Sequence, residues 1–279
     1  MTCFSYTNRK FIPSYKAKIS INDRSVHFSD AVYEVVTVYN YRMLFWREHI
    51  ERLKYSLKAI DIKFSLNSQS LLIKCEELIK KNYLREGIIY IHISRGVAKR
   101  NHNWNSNISP SLIISCSHKK PFNIYAKKIA LITHKDIRWD NCHIKTVSLL
   151  PNVLLKQKAL KKNAFECLML DGNGYITEAT TSNVWILKDN MLITTPLTSN
   201  ILAGVTRKKL LEVAKKLNIQ VCEEKFKEID VYKADNVFIT NSSTIILEAN
   251  KLNGKKLNVS KNQILRNIKS EILKVINYE

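Results

Sequence analysis

Residues 32–39 read VYEVVTVY. Val, Tyr and Thr dominate the stretch, and such side chains, branched at Cβ or aromatic, suit a pleated, half-buried surface. The pattern predicts a strand. Asn40 to Arg42 would turn it back into Met43 to Trp46, so a hairpin is expected. From Arg47 onward Ile50, Leu53, Leu57 and Ile60 recur at helical spacing, and a second amphipathic helix is expected at 68–82. Ile88 to Ser94 and Ser111 to Cys116 are further strands. The polar stretch HKKPFNIY, 118–125, carries a Pro that breaks regular structure, and the domain boundary is placed there. The reading is a small N-terminal α/β domain over 1–120 and a larger C-terminal domain over 121–279.

The second half opens with a strand at Lys128 to Thr133, followed by DIRWDNCHIKTVSLLPN. Asn152 is expected to cap the helix VLLKQKALKKN, and strands are expected at 166–170, 175–178, 182–187 and 191–194. Residues 206–217 form an amphipathic helix with Leu210, Leu211, Val213, Ala214 and Leu217 inward. Strands at 219–224, 235–240 and 243–248, a tight LNGK hairpin at Gly254 and a C-terminal helix follow, the helix with Ile264, Leu265, Ile268, Ile272 and Leu273 inward. The order is mixed α and β, without the strict βαβ alternation of a doubly wound sheet.

The chain has 279 residues, enough for one large domain or two modest ones. Its 45 Lys and Arg against 24 Asp and Glu give +21. The 34 Lys, 33 Ile and 26 Asn stand against only 11 Arg and 6 Gly, so the charge reads as a skew of the whole chain. Phosphate and base readout favour the Arg fork, whereas these lysines spread from Lys10 to Lys274; a nucleic-acid partner is not expected. The N-terminus MTCFSYTNRKFIPSYK lacks the apolar core of a signal peptide, and no run approaches the roughly 18 apolar residues of a membrane span. A cytoplasmic chain with no membrane partner is expected. Six scattered cysteines without a CxxC pair read as reduced thiols, and seven histidines without HExxH give no support for a metal.

Glycine is informative because it is scarce. Gly172, Gly174 and Gly254 fall in evident turns, and Gly87 reads as one more. Gly96, in ISRGVAKRNH, and Gly204, in ILAGVTRKKLLEVA, lie beside polar residues. Gly204 precedes Val205, Thr206 and a helix, and bare amides at a helix start with a hydroxyl are how a phosphate is commonly held.

The blocks VYEVVTVY (32–39), EHIERL (48–53), SRGVAKRNH (94–102), DIRW (136–139), IKTVSLL (144–150), ITEATTSNVWILKDN (176–190), ILAGVTR (201–207) and VFITNSSTI (237–245) run in one colinear order over nearly the whole chain. Together they resemble the class IV, fold-type IV, pyridoxal-phosphate-dependent aminotransferases, most of all the D-amino acid branch of that family. The resemblance implies two α/β domains with pyridoxal 5'-phosphate between them, in a homodimer. It singles out Lys145, in IKT after DIRW, to hold the cofactor covalently and to move the substrate's Cα proton. Glu178 is implied as the acid partner of the pyridine nitrogen, and Arg52, Val205, Thr206 and Ser242 as the phosphate's donors. Leu202 would lie against one face of the ring.

Tyr33 and the R-x-H pair, Arg100 and His102, are implied to trap the substrate's α-carboxylate, the pair reaching across from the other subunit. The implied reaction moves an amino group from a D-amino acid to a 2-oxo acid: D-alanine and 2-oxoglutarate give pyruvate and D-glutamate. A branched-chain L-amino acid aminotransferase and an aminodeoxychorismate lyase share the fold, and the R-x-H pair argues against both. Departures from the family pattern are Ser25, Ser29 and Ala31 where glycines are usual, Asn8-Arg9 in place of Asn-Gly, and Asn241 where serine is common.

Overall fold

The computed structural model describes residues 3–278. They form two compact units, one running to Pro121 and taking back Ile144–Ser148, the other made of Phe122–His143 and the chain from Leu149 onward. The five residues around Lys145 thus join the first unit, although their neighbours on both sides belong to the second.

The first unit contains β1 (Phe4–Thr7), β2 (Lys10–Pro13), α1 (Arg24–Phe28), β3 (Ala31–Tyr39), β4 (Arg42–Met43), α2 (Trp46–Ala59), α3 (Ser68–Lys81), β5 (Glu86–Ser94) and β6 (Ser111–His118). Its sheet has the order β2-β1-β6-β5-β3-β4 and is antiparallel throughout. The VYEVVTVY strand lies inside it, with Tyr33 opposite His92 and Val35 opposite Tyr90 on β5. Alternation sorts the side chains: Val32, Val36, Ile89 and Ile91 are buried in one core with Leu53 and Leu57 of α2 and Leu78 of α3, while Tyr33, Val35, Tyr90 and His92 take the other, half-buried face. Asn67 caps α3 by accepting from the Ser70 amide at 2.8 Å. The expected hairpin after β3 is shorter than its sequence suggested, because Phe45 turns into the left-handed region (φ 56°) and α2 starts at Trp46.

The second unit contains β7 (Ile129–Lys135), α4 (Leu150–Lys161), β8 (Glu166–Leu170), β9 (Ile176–Ala179), β10 (Asn183–Lys188), β11 (Met191–Thr194), α5 (Val205–Lys216), β12 (Val221–Glu223), α6 (Glu228–Lys233), β13 (Asn236–Asn241), β14 (Ile245–Leu252), β15 (Lys255–Lys256) and α7 (Gln263–Tyr278). Its nine-stranded sheet runs β12-β11-β10-β13-β14-β7-β8-β9, with β15 on β14. The β14-β7, β7-β8 and β11-β12 pairs are parallel and the others antiparallel. This mixed pairing is why no strict βαβ rhythm shows in the sequence. Trp185 and Phe238 stack at 6.0 Å in the interior, and the indole donates to Thr240 Oγ1 at 2.9 Å.

Several local expectations are corrected. Asn152 does not cap α4: the helix begins at Leu150, and the Asn152 amide donates to the Thr180 carbonyl at 2.8 Å. Leu211, Leu217, Ile264 and Leu273 are only half-buried. Gly87 is not in a turn but inside β5, where a Cβ would lie 2.3 Å from the Ser117 carbonyl oxygen. The short helices α1 and α6 and the hairpin β1-β2 had no clear periodicity to reveal them.

Four two-residue hairpin turns have both residues at positive φ: Asn8-Arg9, Asn40-Tyr41, Asp189-Asn190 and Asn253-Gly254. Such turns match the twist of antiparallel strands and favour glycine at the second position. Here only Gly254 meets that preference. Arg9 and Tyr41 therefore occupy left-handed positions at φ 64°, each at a cost of about 1–2 kcal/mol.

Candidate active site

In the first unit Lys145 is fixed through its backbone. Its amide donates to Ser56 Oγ at 3.2 Å, its carbonyl accepts from the Tyr33 amide at 3.0 Å, and Thr146 bridges to Val32. The ammonium lies 4.2 Å from the centre of the Tyr33 ring. Lys145 and Tyr33 are thus brought together by an extended segment laid along the start of β3.

Arg52 projects from α2 toward the core side of β3. Its Nε and Nη2 donate to the two oxygens of Glu34 at 2.7 and 2.8 Å, and His49 donates from Nδ1 to the same carboxylate at 2.7 Å. Glu34 is wholly buried. Burial works to raise its pKa, but Arg52 and then His49 outweigh it and hold the carboxyl well below the usual range. Burial pushes the His49 pKa down further than Glu34 lifts it. Glu34 and His49 escaped the sequence reading because a carboxylate within a strand and a histidine on a helix read as solvated residues until register pairs them.

Arg100 and His102 lie on the exposed segment after β5. The Arg100 guanidinium sits 5.3 Å from the centre of the Phe28 ring, and the His102 and Phe28 rings are 5.3 Å apart.

In the second unit Glu178, at the end of β9, is buried. One oxygen accepts from Arg138, the other from Asn183 Nδ2 at 3.2 Å and the Leu202 amide at 3.3 Å. Burial raises its pKa more than Arg138 lowers it. Arg138 itself is held by Asp136 through two nitrogens at 3.0 and 2.7 Å and by the Asn200 carbonyl at 3.0 Å. The DIRW motif thus supplies a buried ion network whose end point is Glu178. The reading of the motif as a mere landmark for Lys145 missed this.

Gly204 has an ordinary φ of −65° and is the N-cap of α5. A Cβ there would lie 2.0 Å from Asn183 Oδ1, so the missing side chain makes room for the amide that holds Glu178 and the Leu202 carbonyl. No side chain caps α5, and Thr206 Oγ1 in its first turn is buried without a hydrogen-bond partner. An unpaired hydroxyl at an uncapped helix start suits an anionic oxygen. Ser242 lies in the β13–β14 turn, which Asn241 organises: its Oδ1 accepts from the Ser243 and Thr244 amides at 2.9 and 2.8 Å. Asn241 Nδ2 donates to Ser182 Oγ at 2.9 Å, and Ser182 leans at 3.3 Å on Glu166, a wholly buried carboxylate that also accepts from the hydroxyls of Thr180 and Thr181. Asn241 thus fixes the turn that carries Ser242.

Within the second unit, a buried carboxylate backed by an arginine and an anion cradle at α5 suit a phosphate-bearing pyridine; within the first, an amine lies beside a phenol. The model of the family described as Amino-transferase class IV matches residues 31–252. The chain belongs to the class IV aminotransferases. It is 33% identical over 258 residues to a D-alanine aminotransferase of Staphylococcus aureus (strain MSSA476), covering 92% of this chain and 91% of that one. It is equally identical over 251 residues to a D-alanine aminotransferase of Bacillus licheniformis, covering 90% and 88%. Among solved structures, a branched-chain amino acid aminotransferase of Escherichia coli matches with a TM-score of 0.90 at 24% identity over 99% of this chain and 95% of that one. The branched-chain aminotransferase of the thermophilic archaeon Thermoproteus uzoniensis, solved with norvaline, matches at 0.90 with 18% identity, over 100% and 96%. At these identities the likeness shows the fold: fold-type IV, mixed α and β. As a class IV aminotransferase the enzyme depends on pyridoxal phosphate. Among the described residues no helix is long and apolar enough to cross a membrane.

Proposed function

We propose that this aminotransferase moves the amino group of a D-amino acid, D-alanine foremost, to a 2-oxo acid such as 2-oxoglutarate. The observation that carries the reading is the Lys145 ammonium 4.2 Å from the Tyr33 ring, which puts the proton-moving amine beside the phenol that takes the substrate's carboxylate. With the carboxylate held on the tyrosine side, the hydrogen of one enantiomer faces the lysine. The D-alanine aminotransferases that cover nine-tenths of the chain support the same assignment.

When bound, pyridoxal phosphate supplies an electron sink for the carbanion at the substrate's Cα. Lys145 Nζ takes the Cα proton and holds it for return. Glu178 holds a proton at the pyridine nitrogen, and the Arg138 network fixes the carboxylate's direction. Arg52, the amides of Val205 and Thr206, the Thr206 hydroxyl and Ser242 bind the phosphate, while Leu202 lies against the ring. Glu34 keeps Arg52 in a single orientation. Tyr33, with Arg100 and His102 of a second subunit, binds the α-carboxylate; the exposure of both loop residues is what such a homodimer needs. The six free cysteines favour a reducing, cytoplasmic setting.

The test is turnover of the pure protein with pyridoxal phosphate, 2-oxoglutarate and one donor at a time. D-Alanine is expected to react far faster than L-alanine or L-leucine. Reaction with L-leucine alone overturns the reading.

A further inference from the structure

We propose that Arg24 and Phe28 are positioning residues for the substrate's α-carboxylate, Arg24 fixing the backbone at 101–102 and Phe28 the side chains of Arg100 and His102. The inference rests on the reading that Arg100 and His102 bind that carboxylate.

The segment from 97 to 110 has no helix or strand, and most of it is exposed. An arginine and a histidine on such a loop would sample many orientations, and ordering them on substrate binding would weaken the binding. The structure holds them by two routes.

The first route is backbone. Asp23 bridges to Val97, the Arg24 amide donates to the Gly96 carbonyl at 2.9 Å, and the Ala98 amide donates to the Asn22 carbonyl at 3.1 Å. Gly96 is required here: its φ is +117°, and a Cβ would lie 2.0 Å from the Ser109 carbonyl oxygen at the loop's far end. Further out, the buried Arg24 guanidinium donates from Nη1 to the Asn101 carbonyl at 2.6 Å and from Nη2 to the His102 carbonyl at 3.3 Å. Its Nε donates at 2.7 Å to Asp30, whose same oxygen accepts from Arg95 Nε at 2.8 Å. Arg95 in turn donates to the Asp61 and Ile60 carbonyls, each at 2.7 Å, and its guanidinium lies 4.0 Å from the centre of the Trp104 ring. One carboxylate thus anchors two guanidinium forks, and the forks reach the loop at 101, 102 and 104. A lysine at 24 would keep the charge but lose the three-directional fork.

The second route is the Phe28 ring. The Arg24 and Arg100 guanidinium groups lie 4.7 and 5.3 Å from its centre, and the His102 ring stands 5.3 Å away, tilted by 53°. Both side chains therefore lie against one aromatic ring, whose faces attract a guanidinium.

The test compares the cofactor-loaded parent enzyme with Arg24→Lys and with Phe28→Leu, the second being half-buried and apolar in both forms. Each variant is measured by melting temperature, visible cofactor absorption, KM and kcat for D-alanine, and the ratio of D-alanine to L-alanine turnover. The expected result is intact melting and cofactor absorption, kcat within about threefold, KM raised about 10–100-fold, and a D-to-L ratio reduced by about tenfold. A folded Phe28→Leu enzyme with KM and the D-to-L ratio within twofold of the parent overturns the inference. So does loss of cofactor or folding in both variants, which would make the cluster a scaffold only. A parent enzyme without D-preference sinks the underlying reading, and the inference with it, and is seen before any variant is made.

Discussion

The buried carboxylate Glu34 offers the sharpest stability test. Glu34→Gln keeps the shape of the side chain and removes the charge that faces Arg52 and His49. Arg52 then stays nine-tenths buried while losing the Glu34 charge that its Nε and Nη2 face. Breaking a buried ion pair from one side costs about 3–5 kcal/mol, because the remaining charge is left uncompensated. At 2–4 °C for each kcal/mol, the melting temperature should fall by roughly 6–20 °C. Removing both partners, as in Glu34→Leu with Arg52→Met, should recover much of that loss.

The pH dependence supplies a second readout. The Glu34 carboxyl is held below its ordinary value of 4.5, so its contribution is complete above that pH and is lost as pH falls further. By pH 3 the parent should have lost about 2 kcal/mol from this group, at 1.36 kcal/mol for each pH unit below 4.5. The Gln variant has no such loss, so the gap between the two should narrow by that amount between pH 7 and pH 3. Urea unfolding at several pH values measures it. A drop under 2 °C at pH 7, or a gap that stays constant with pH, refutes the argument.

Lys145→Ala should abolish turnover and the visible Schiff-base absorption of the lysine-linked cofactor, read by spectrum and by D-alanine assay; a fully active variant sinks the assignment. Gly204→Ala should destabilise by about 1–3 kcal/mol through overlap with Asn183 Oδ1, and in an Asn183→Ala background, where the Asn183 bonds are already lost, the same substitution should cost much less, as measured by urea unfolding of both single variants and the double variant. Arg9→Gly and Tyr41→Gly should each stabilise by about 1 kcal/mol, since both replace a strained left-handed residue in a hairpin turn; unchanged melting temperatures would contradict the strain argument. Arg138→Gln should lower kcat with D-alanine more than it raises KM, because it disturbs the carboxylate assigned to the ring nitrogen and leaves the substrate's own contacts in place.

The strands and long helices were legible because their periodicity is a direct image of burial. VYEVVTVY has one face on the core and one toward Tyr90 and His92, and the α2 positions Ile50, Leu53 and Leu57 all point inward. Asn152 misled because a polar residue before an apolar run signals a cap, whereas its amide is spent on a carbonyl 28 residues away. The site was legible only through colinear motifs. Nothing about Lys145 alone separates it from 33 other lysines. Glu34, Arg138, Asn183 and Glu166 were invisible for a related reason: each acts through a partner distant in sequence, and single-residue chemistry carries no record of that pairing. Gly204 was noticed for its scarcity, yet its use turned out to include room for Asn183.

The return of Ile144–Ser148 to the first unit has a bearing on where the chain can be cut. The Lys145 segment is threaded in sequence between two stretches of the second unit but takes its register from β3 of the first. A fragment ending at Pro121 would leave the Tyr33 amide and the Ala31 carbonyl without the bonds they make to 145 and 147. The complementary fragment would carry the lysine with nothing to set its register. Cutting the chain at 121 therefore separates the lysine from the strand that sets its register, so neither piece alone holds 144–148 in place.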